Sequence, residues 1–430
     1  MKRLLALLLI LVALKVVKGN GPVTERQWRH VKSPQLRPHS VSILEFGAVG
    51  DGQTVNTVAF QNAIFYLRSF ADKGGAQLYI PEGRWLTGSF NLTSHLTLFL
   101  EKNAVIIGSL DPSFWPVIEP LPSYGQGVDL PGGRHRSLIS GHNLTDVVIT
   151  GFSLVGLARF SLLNYSRPHL LELVNCNDVT ISNLTLLNSP AWHVHPVYSS
   201  NVHIQNITIY SPPDHSLTNG IVPGLHNYRR HDAIALKSGW DEYGLSYGKP
   251  VSNVHIKRVH LRTSLGSALA FGSEMSGGVT DIHAEHIHIR DSFTAIQLKT
   301  TPGRGGYMKD IIISDVDMVN VHTAIHFSGQ CGAHPGDHFD PDAVPAVHRV
   351  TLKNIVGEGV YMAGNLSGID HDPFTEICLS DISFSVTSTV PWTCSHVHGS
   401  SQSVSPQPCP ELRDPYSNSS AICFGDVAAA

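Results

Sequence analysis

Apolar and polar positions alternate in short bursts along most of this chain, and one burst keeps returning. Thr145-Asp146-Val147-Val148-Ile149, Asn177-Asp178-Val179-Thr180-Ile181, Asn201-Val202-His203-Ile204, Asn253-Val254-His255-Ile256, Asp281-Ile282-His283-Ala284, Asp310-Ile311-Ile312-Ile313, Arg349-Val350-Thr351-Leu352 and Glu376-Ile377-Cys378-Leu379 are variants of a single strand. Most are followed by a second short alternation, such as Asn206-Ile207-Thr208-Ile209. Between their last residues the steps are 32, 23, 52, 28, 29, 39 and 27. A step of roughly 23 to 32 residues that holds several short strands predicts one coil of a β-solenoid. A sandwich would place turns at hairpin spacing and show no such period. The expected fold class is therefore all-β, a β-solenoid.

A second strand family interleaves with the first: Asp232-Ala233-Ile234-Ala235-Leu236, Ser267-Ala268-Leu269-Ala270-Phe271, Thr294-Ala295-Ile296-Gln297-Leu298-Lys299 and Thr323-Ala324-Ile325-His326-Phe327. Strict alternation turns Ile234, Leu269, Ile296 and Ile325 to the core and Ala233, Ala235, Ala268, Ala270, Gln297 and Lys299 outward. Such a small, polar-edged face is the expected floor for a chain-like ligand, the other reading being a solvated sheet face. Nearer the start, Phe46-Gly47-Ala48-Val49-Gly50-Asp51-Gly52 is a turn without the Gly-Lys-Ser/Thr of a phosphate loop. Positions 56–71 predict an amphipathic helix with Ala59, Ile64, Leu67 and Phe70 on its apolar face, followed by strands at 77–80, 84–88 and 96–100.

Composition adds the compartment. Residues 1–19 read as a secretory leader, a Lys2-Arg3 start followed by an apolar run over 4–14 that is short for a membrane span. The expected division is that leader, one solenoid domain over 40–412, and a tail over 413–430. Six cysteines (176, 331, 378, 394, 409, 423) predict disulfides near the C-terminus, with pairing open. Seven sequons, at Asn91, Asn143, Asn164, Asn183, Asn206, Asn365 and Asn418, fit a glycosylated secreted chain. Formal charge is −4. The 25 histidines reverse its sign at mildly acidic pH, which suits a polyanionic ligand if they are exposed and means little if they are structural. No basic run points to nucleic acid.

Several segments together resemble glycoside hydrolase family 28, in its plant polygalacturonase-like form. They are the Gly-rich turn at Phe46, Gly88-Ser89-Phe90-Asn91-Leu92-Thr93-Ser94-His95-Leu96, Asn188-Ser189-Pro190, His195-Pro196-Val197-Tyr198, Lys237-Ser238-Gly239-Trp240-Asp241-Glu242-Tyr243-Gly244, Gly272-Ser273-Glu274 and Gly303-Arg304-Gly305-Gly306-Tyr307. The resemblance covers about 40–412. It implies a right-handed parallel β-helix secreted to the cell wall, acting as a monomer on pectic polysaccharide, with no metal or organic cofactor, no nucleic acid and no membrane. The implied reaction is inverting hydrolysis of α-1,4-galacturonosyl bonds, which needs one carboxylic acid and carboxylates across the sugar ring to activate water.

Carried over by position, the family's Asn-Thr-Asp becomes Leu217-Thr218-Asn219, and Gly-Asp-Asp becomes Arg230-His231-Asp232. The catalytic positions are thus Asp232, His231 and Asn219, only the first a carboxylate. The Arg-Ile-Lys element that binds uronate becomes Gln297-Leu298-Lys299, making Lys299 and Gln297 the substrate-binding positions. Spacing gives a matching signal: core positions Ile234, Leu269, Ile296 and Ile325 step by 35, 27 and 29, whereas Ile221 to Ile234 is only 13. One coil is therefore expected to be incomplete near 217–239, and 152–163 lacks a further family segment, so a bulge or strain is expected at both. His193-x-His195 and His286-x-His288 have same-face spacing but no third ligand, and no Asp cluster suits the calcium of a pectate lyase. The expectation is a polygalacturonase-type enzyme with weak or lost hydrolysis. The alternative is a non-catalytic pectin-binding solenoid or a degenerate, mis-spliced copy.

Overall fold

The structure, a computed structural model, describes residues 37–125, 132–157, 164–211, 232–263, 266–336 and 339–413. Among these, 22 strands join in one continuous, almost wholly parallel sheet wound as a β-helix. The repeat seen in the sequence is its axis. Leu78, Leu98, Ile149, Ile181, Ile204, Ile256, Ala284, Ile313, Leu352 and Leu379 are each paired with the next across adjacent coils. All ten are buried. Parallel strands covered by more chain are the arrangement in which apolar columns of this kind stack without edges.

The residue just before each column strand, Asn or Asp in six of the eight repeats and Arg349 or Glu376 in the other two, has a physical task. Asp146, Asp178, Asn201, Asn253, Asp281 and Asp310 all have φ between 53° and 58°, the left-handed region. Short polar side chains tolerate that region better than other L-residues because they bond locally. A second such column, Asn183, Asn206, Arg258, His286, Asp315, Asn354 and Asp381, marks the next corner of each coil. Coil-to-coil hydrogen bonds knit these turns together: Asn201 Nδ2 donates to Asn177 Oδ1 at 2.8 Å, Asn206 Nδ2 to Asn183 Oδ1 at 3.0 Å, and Asn320 Nδ2 to Asp291 Oδ1 at 2.8 Å.

The second strand family forms its own wall, called here the site sheet. Leu171, Val194, Ile234, Leu269, Ile296, Ile325, Gly364 and Trp392 stack in register along it. Strict alternation fails at one position in each strand. Ala233, Ala268, Ala295 and Ala324 join the hydrophobic core instead of facing outward. The ladder skips the 268, 295 and 324 positions, so the chain bends there and two consecutive side chains turn inward. A methyl is what fits at such a corner. Gly364 is needed for a related reason, because a Cβ there would lie 2.2 Å from the Trp392 indole that fills the last coil.

The helix Thr57–Leu67 lies over the first strands, burying Ala59, Phe60, Ala63, Ile64 and Leu67; Phe60, stacked 4.5 Å from Phe90, is its central contact. Phe70, expected on the helical face, sits in a following 3-10 stretch, Arg68–Lys73. Near the other end Cys394 and Cys409 form a disulfide and Cys378 is disulfide-bonded too, while Cys176 and Cys331 are free thiols. No helix among the described residues is long and apolar enough to cross a membrane.

The two sequence lesions leave different marks. At the first, the register of strand Thr145–Leu157 shifts between Thr150 and Ser153, and 158–163 lie outside the described residues. At the second, Ser200–Ser211 pairs directly with Val251–Thr263, from Ser200↔Ser252 to Ser211↔Thr263. The 52-residue interval is therefore spanned without an intervening strand on that wall, and on the site sheet Val194 pairs straight with Ile234.

Replacing Asn320, an exposed left-handed residue at φ 57°, separates turn strain from side-chain bonding. Asn320→Ala and Asn320→Gly both lose the bond to Asp291, so Ala is expected to be less stable than Gly by about 1–2 kcal/mol, read from midpoints of chemical unfolding.

Candidate active site

The outward row of the site sheet runs Ser140, Glu172, His195, Ala235, Ala270, Gln297, His326, one residue per coil. From Glu172 to Gln297 this row is buried, so it is neither an open floor nor a solvated face. The methyls of Ala235 and Ala270 leave space that longer side chains from neighbouring positions fold across. Four charged groups do so. Lys299 Nζ donates to Asp232 Oδ2 at 2.6 Å, and the Ser267 amide donates to Asp232 Oδ1 at 3.1 Å. Lys237 Nζ pairs with Glu274, donates to the Gly272 carbonyl at 2.7 Å, and lies 4.4 Å from the centre of the Trp192 ring.

Of the residues expected to carry chemistry, the structure thus joins Asp232 and Lys299 directly. Gln297 is adjacent, accepting from the Ser267 hydroxyl and donating to His326 Nδ1 at 3.1 Å. Asn219 and His231 lie outside the described residues.

Burial opposes ionisation of Asp232, but the Lys299 and Lys237 charges and the bonds from Lys299 and Ser267 outweigh it, and its carboxyl is held below the usual range. Glu274 behaves alike: burial works against its charge, yet Lys237 and Arg304 bring it to about 2. Burial also works to lower Lys299, and Asp232 more than restores it, whereas burial prevails in lowering Lys237.

Two coils upstream, centred on Glu172, is a second polar group that sequence reasoning missed. Glu172 is fully buried in the apolar strand Leu171–Val174. Arg134 reaches its Oε2 at 2.6 Å, and His195 Nδ1 and His169 Nε2 lie 3.2 and 3.7 Å from its Oε1. Burial resists the Glu172 charge, but Arg134 and the two imidazoles hold its carboxyl well below the usual range. A carboxylate in an otherwise apolar strand was the available signal; Arg134 offered none. His169, Glu172 and His195 have ligand atoms within 4.8 Å of one another. The guanidinium on Oε2 already supplies the compensating positive charge, and a divalent ion would add uncompensated charge to a buried space. A more exposed set, His255, His283 and Glu285, is likewise taken up by a cation, Lys257 Nζ lying 2.5 Å from Glu285 Oε1.

Two motifs of the sequence meet behind the site. Asp241 Oδ1 pairs with Arg304 at 2.5 Å and its Oδ2 with His334 Nδ1 at 2.7 Å, both Asp241 and Arg304 being fully buried. This latch ties the helix Asp241–Tyr247 to the turn that follows Lys299.

The chemical consequence is specific. Glu172, Asp232 and Glu274 are each paired with a buried cation and each has a depressed pKa, so all three are anions at mildly acidic pH. A general acid needs the opposite, a carboxyl kept protonated by an apolar setting or a like charge. The described residues of the site thus offer bases and charge stabilisers and no carboxylic acid.

Residues 156–406 match the family model described as glycosyl hydrolases family 28. Over 408 residues, 90% of this chain and 83% of the relative, the sequence is 47% identical to a probable polygalacturonase of Vitis vinifera. Among solved structures it is similar to a hyperthermoactive exopolygalacturonase from Thermotoga maritima, at 25% identity and a TM-score of 0.68 over 87% of this chain and 93% of that one. The polygalacturonase of Erwinia carotovora shares the fold, with a TM-score of 0.59 at 16% identity, over 86% of this chain and 98% of that one.

Two outcomes are expected. Because the folded-state pKa values of Asp232 and Glu274 lie below those of an unfolded chain, about 3.9 and 4.3, the stability they contribute is complete above about pH 4.3 and is lost as pH falls toward about 2. A pH series of melting midpoints should show that decline, and Glu274→Gln should flatten it. Lys299→Met, which strands the Asp232 carboxylate, should destabilise the chain by about 3–5 kcal/mol in chemical unfolding, and an added Asp232→Asn should recover part of that loss.

Proposed function

This chain belongs to glycosyl hydrolase family 28, whose relatives here are pectin-degrading polygalacturonases, and on that premise we propose that it acts on the α-1,4-galacturonosyl bonds of pectin with weak or lost hydrolysis. The observation that carries this reading is Asp232: it stands where the family's motif has a carboxylate and is held ionised by Lys299 at 2.6 Å. The pair suits water activation or stabilisation of positive charge at the anomeric carbon, and Lys299 and Gln297 suit the uronate. Asp232 is acting alone, since Asn219 cannot accept a proton and His231 is not a carboxylic acid. Each missing acid or base costs on the order of a hundredfold or more in rate.

A second reading, a non-catalytic pectin-binding solenoid, is favoured by the cation pairing of every site carboxylate named above. The domain organisation of this reading is a leader over 1–19, a solenoid over 40–412 and a tail over 413–430, with the chain working outside the cell as a monomer in the wall. The apolar run over 4–14, the sequons and the Cys394–Cys409 disulfide support that placement.

Incubation with polygalacturonate at pH 5, with new reducing ends counted, separates the two. Slow turnover that Asp232→Asn abolishes is expected if the chain is an enzyme. Binding of polygalacturonate without any release of reducing ends overturns the hydrolase reading in favour of the binding one.

A further inference from the structure

Several of the chain's histidines gather on one exposed wall. The strands Val251–Thr263 and Val279–Lys299 lie side by side in adjacent coils, with Lys257↔Glu285, His260↔His288 and Leu261↔Ile289 paired. Alternation along this stretch sends Val259, Leu261, Ile287 and Ile289 to the core. The positions between them, Arg258, His260 and Arg262 in one coil and His286, His288 and Arg290 in the next, point outward. Five of the six are exposed and His288 is half-buried. The His260 and His288 rings stack at 4.5 Å. These strands lead into the coils that carry Ala270 and Gln297 on the site sheet, so the basic face is a different wall of the same two coils.

Charge on this face depends on its imidazoles. Lys257 pairs with Glu285 at 2.5 Å and Arg262 with Asp291 at 3.0 Å. The coil before presents Tyr210, whose ring lies 4.9 Å from the Arg262 guanidinium. The coil after presents Asp317, which pairs with His288, and Asp315, which lies with Glu285 around His286. Arg290, and Arg258 beyond its 3.2 Å bond to Asn206, have no carboxylate partner among the described residues. Fixed cations and carboxylates thus balance while the imidazoles are neutral. Imidazoles ordinarily take up a proton near pH 6.5, so acid tips the face to positive. Burial, the His288 ring and Arg290 push His260 below that range against the pull of Asp317, which delays its charge to more acidic pH. Guanidiniums without a carboxylate can fork onto one from outside.

We propose that this face is a second, acid-gated binding surface for polyuronate, holding a stretch of de-esterified pectin apart from the site sheet. A polymer with a carboxylate on every sugar meets several of these cations at once, and such weak contacts reinforce one another. The need for an anion follows from the face itself; the choice of a polyuronate rests on the pectin reading.

The full-length chain is titrated with polygalacturonate and with fully methyl-esterified pectin at pH 5 and pH 7.5, and reducing ends are counted in the same samples. Polygalacturonate should bind about tenfold more tightly at pH 5, less so with added salt, and the uncharged polymer should show no such preference. His260→Gln and His288→Gln together should remove most of the pH effect. His371→Asn and His398→Gln together, at exposed histidines near the other end of the chain, should leave it intact. Asp317→Asn should tighten binding at pH 7.5. Equal loss in both double variants makes the effect one of total charge and overturns the proposal. A His260 and His288 double variant that binds like the wild type also overturns it, and the pectin reading then stands wherever reducing ends are still released. If polygalacturonate binds at neither pH, both readings fail. Asp317 is on the surface, so Asp317→Asn decides alone if a double variant does not fold: unchanged binding at pH 7.5 overturns the proposal.

Discussion

Each coil of this solenoid has to bring its chain back onto the same residue column, because a slip of one position would turn a strand's core side chains to the outside. Ile149 to Leu379 is that column, and its steps range from 23 to 52 residues. What makes so uneven a repeat possible is that the corners, not the lengths, are constrained. Residues held at positive φ turn the backbone sharply at the same place in every coil, and their side chains bond from one coil to the next. Extra residues can leave the wall at other corners and return without disturbing the register.

That constraint explains what could be read from the chain alone. The column from Ile149 to Leu379 and its marker residue are local features, visible within five residues, so the solenoid was legible, whereas Leu78 and Leu98 of the same column and the site-sheet strands at 171–174, 194–197, 362–367 and 392–395 lack that marker pattern and were not. The outer face was legible only in part. Ala235, Ala270 and Gln297 alternate as expected, but Ala233 and Ala268 do not, because alternation holds only along an unbent strand and the bend lies at that alanine. The charge pairs were not legible at all: Glu172 and Arg134 are 38 residues apart, Asp241 and Arg304 63, Asp232 and Lys299 67. Each depends on which coils stack, and that is known only once the register is.

The site's chemistry descends from the same stacking. A parallel β-helix places one side chain per coil along each outward row, so the identity of a site is an ordered series of neighbours. Burial of that row and of the side chains folded across it forces each carboxylate there to take a cation, since an unpaired buried charge costs several kcal/mol. Lys299, Lys237 and Arg134 meet that demand for Asp232, Glu274 and Glu172. The same pairing keeps these three carboxyls ionised, so among the described residues stability and acid catalysis compete for the same three groups.

It follows that which coils are neighbours decides which groups can share the site. Strands pair directly from coil to coil, as Val194 does with Ile234, because unpaired parallel edges inside the wall would leave buried backbone amides without partners. Here it is the Glu172 and His195 group that abuts the Asp232 coil. The stacking rule therefore makes each coil's neighbours part of the site's chemistry.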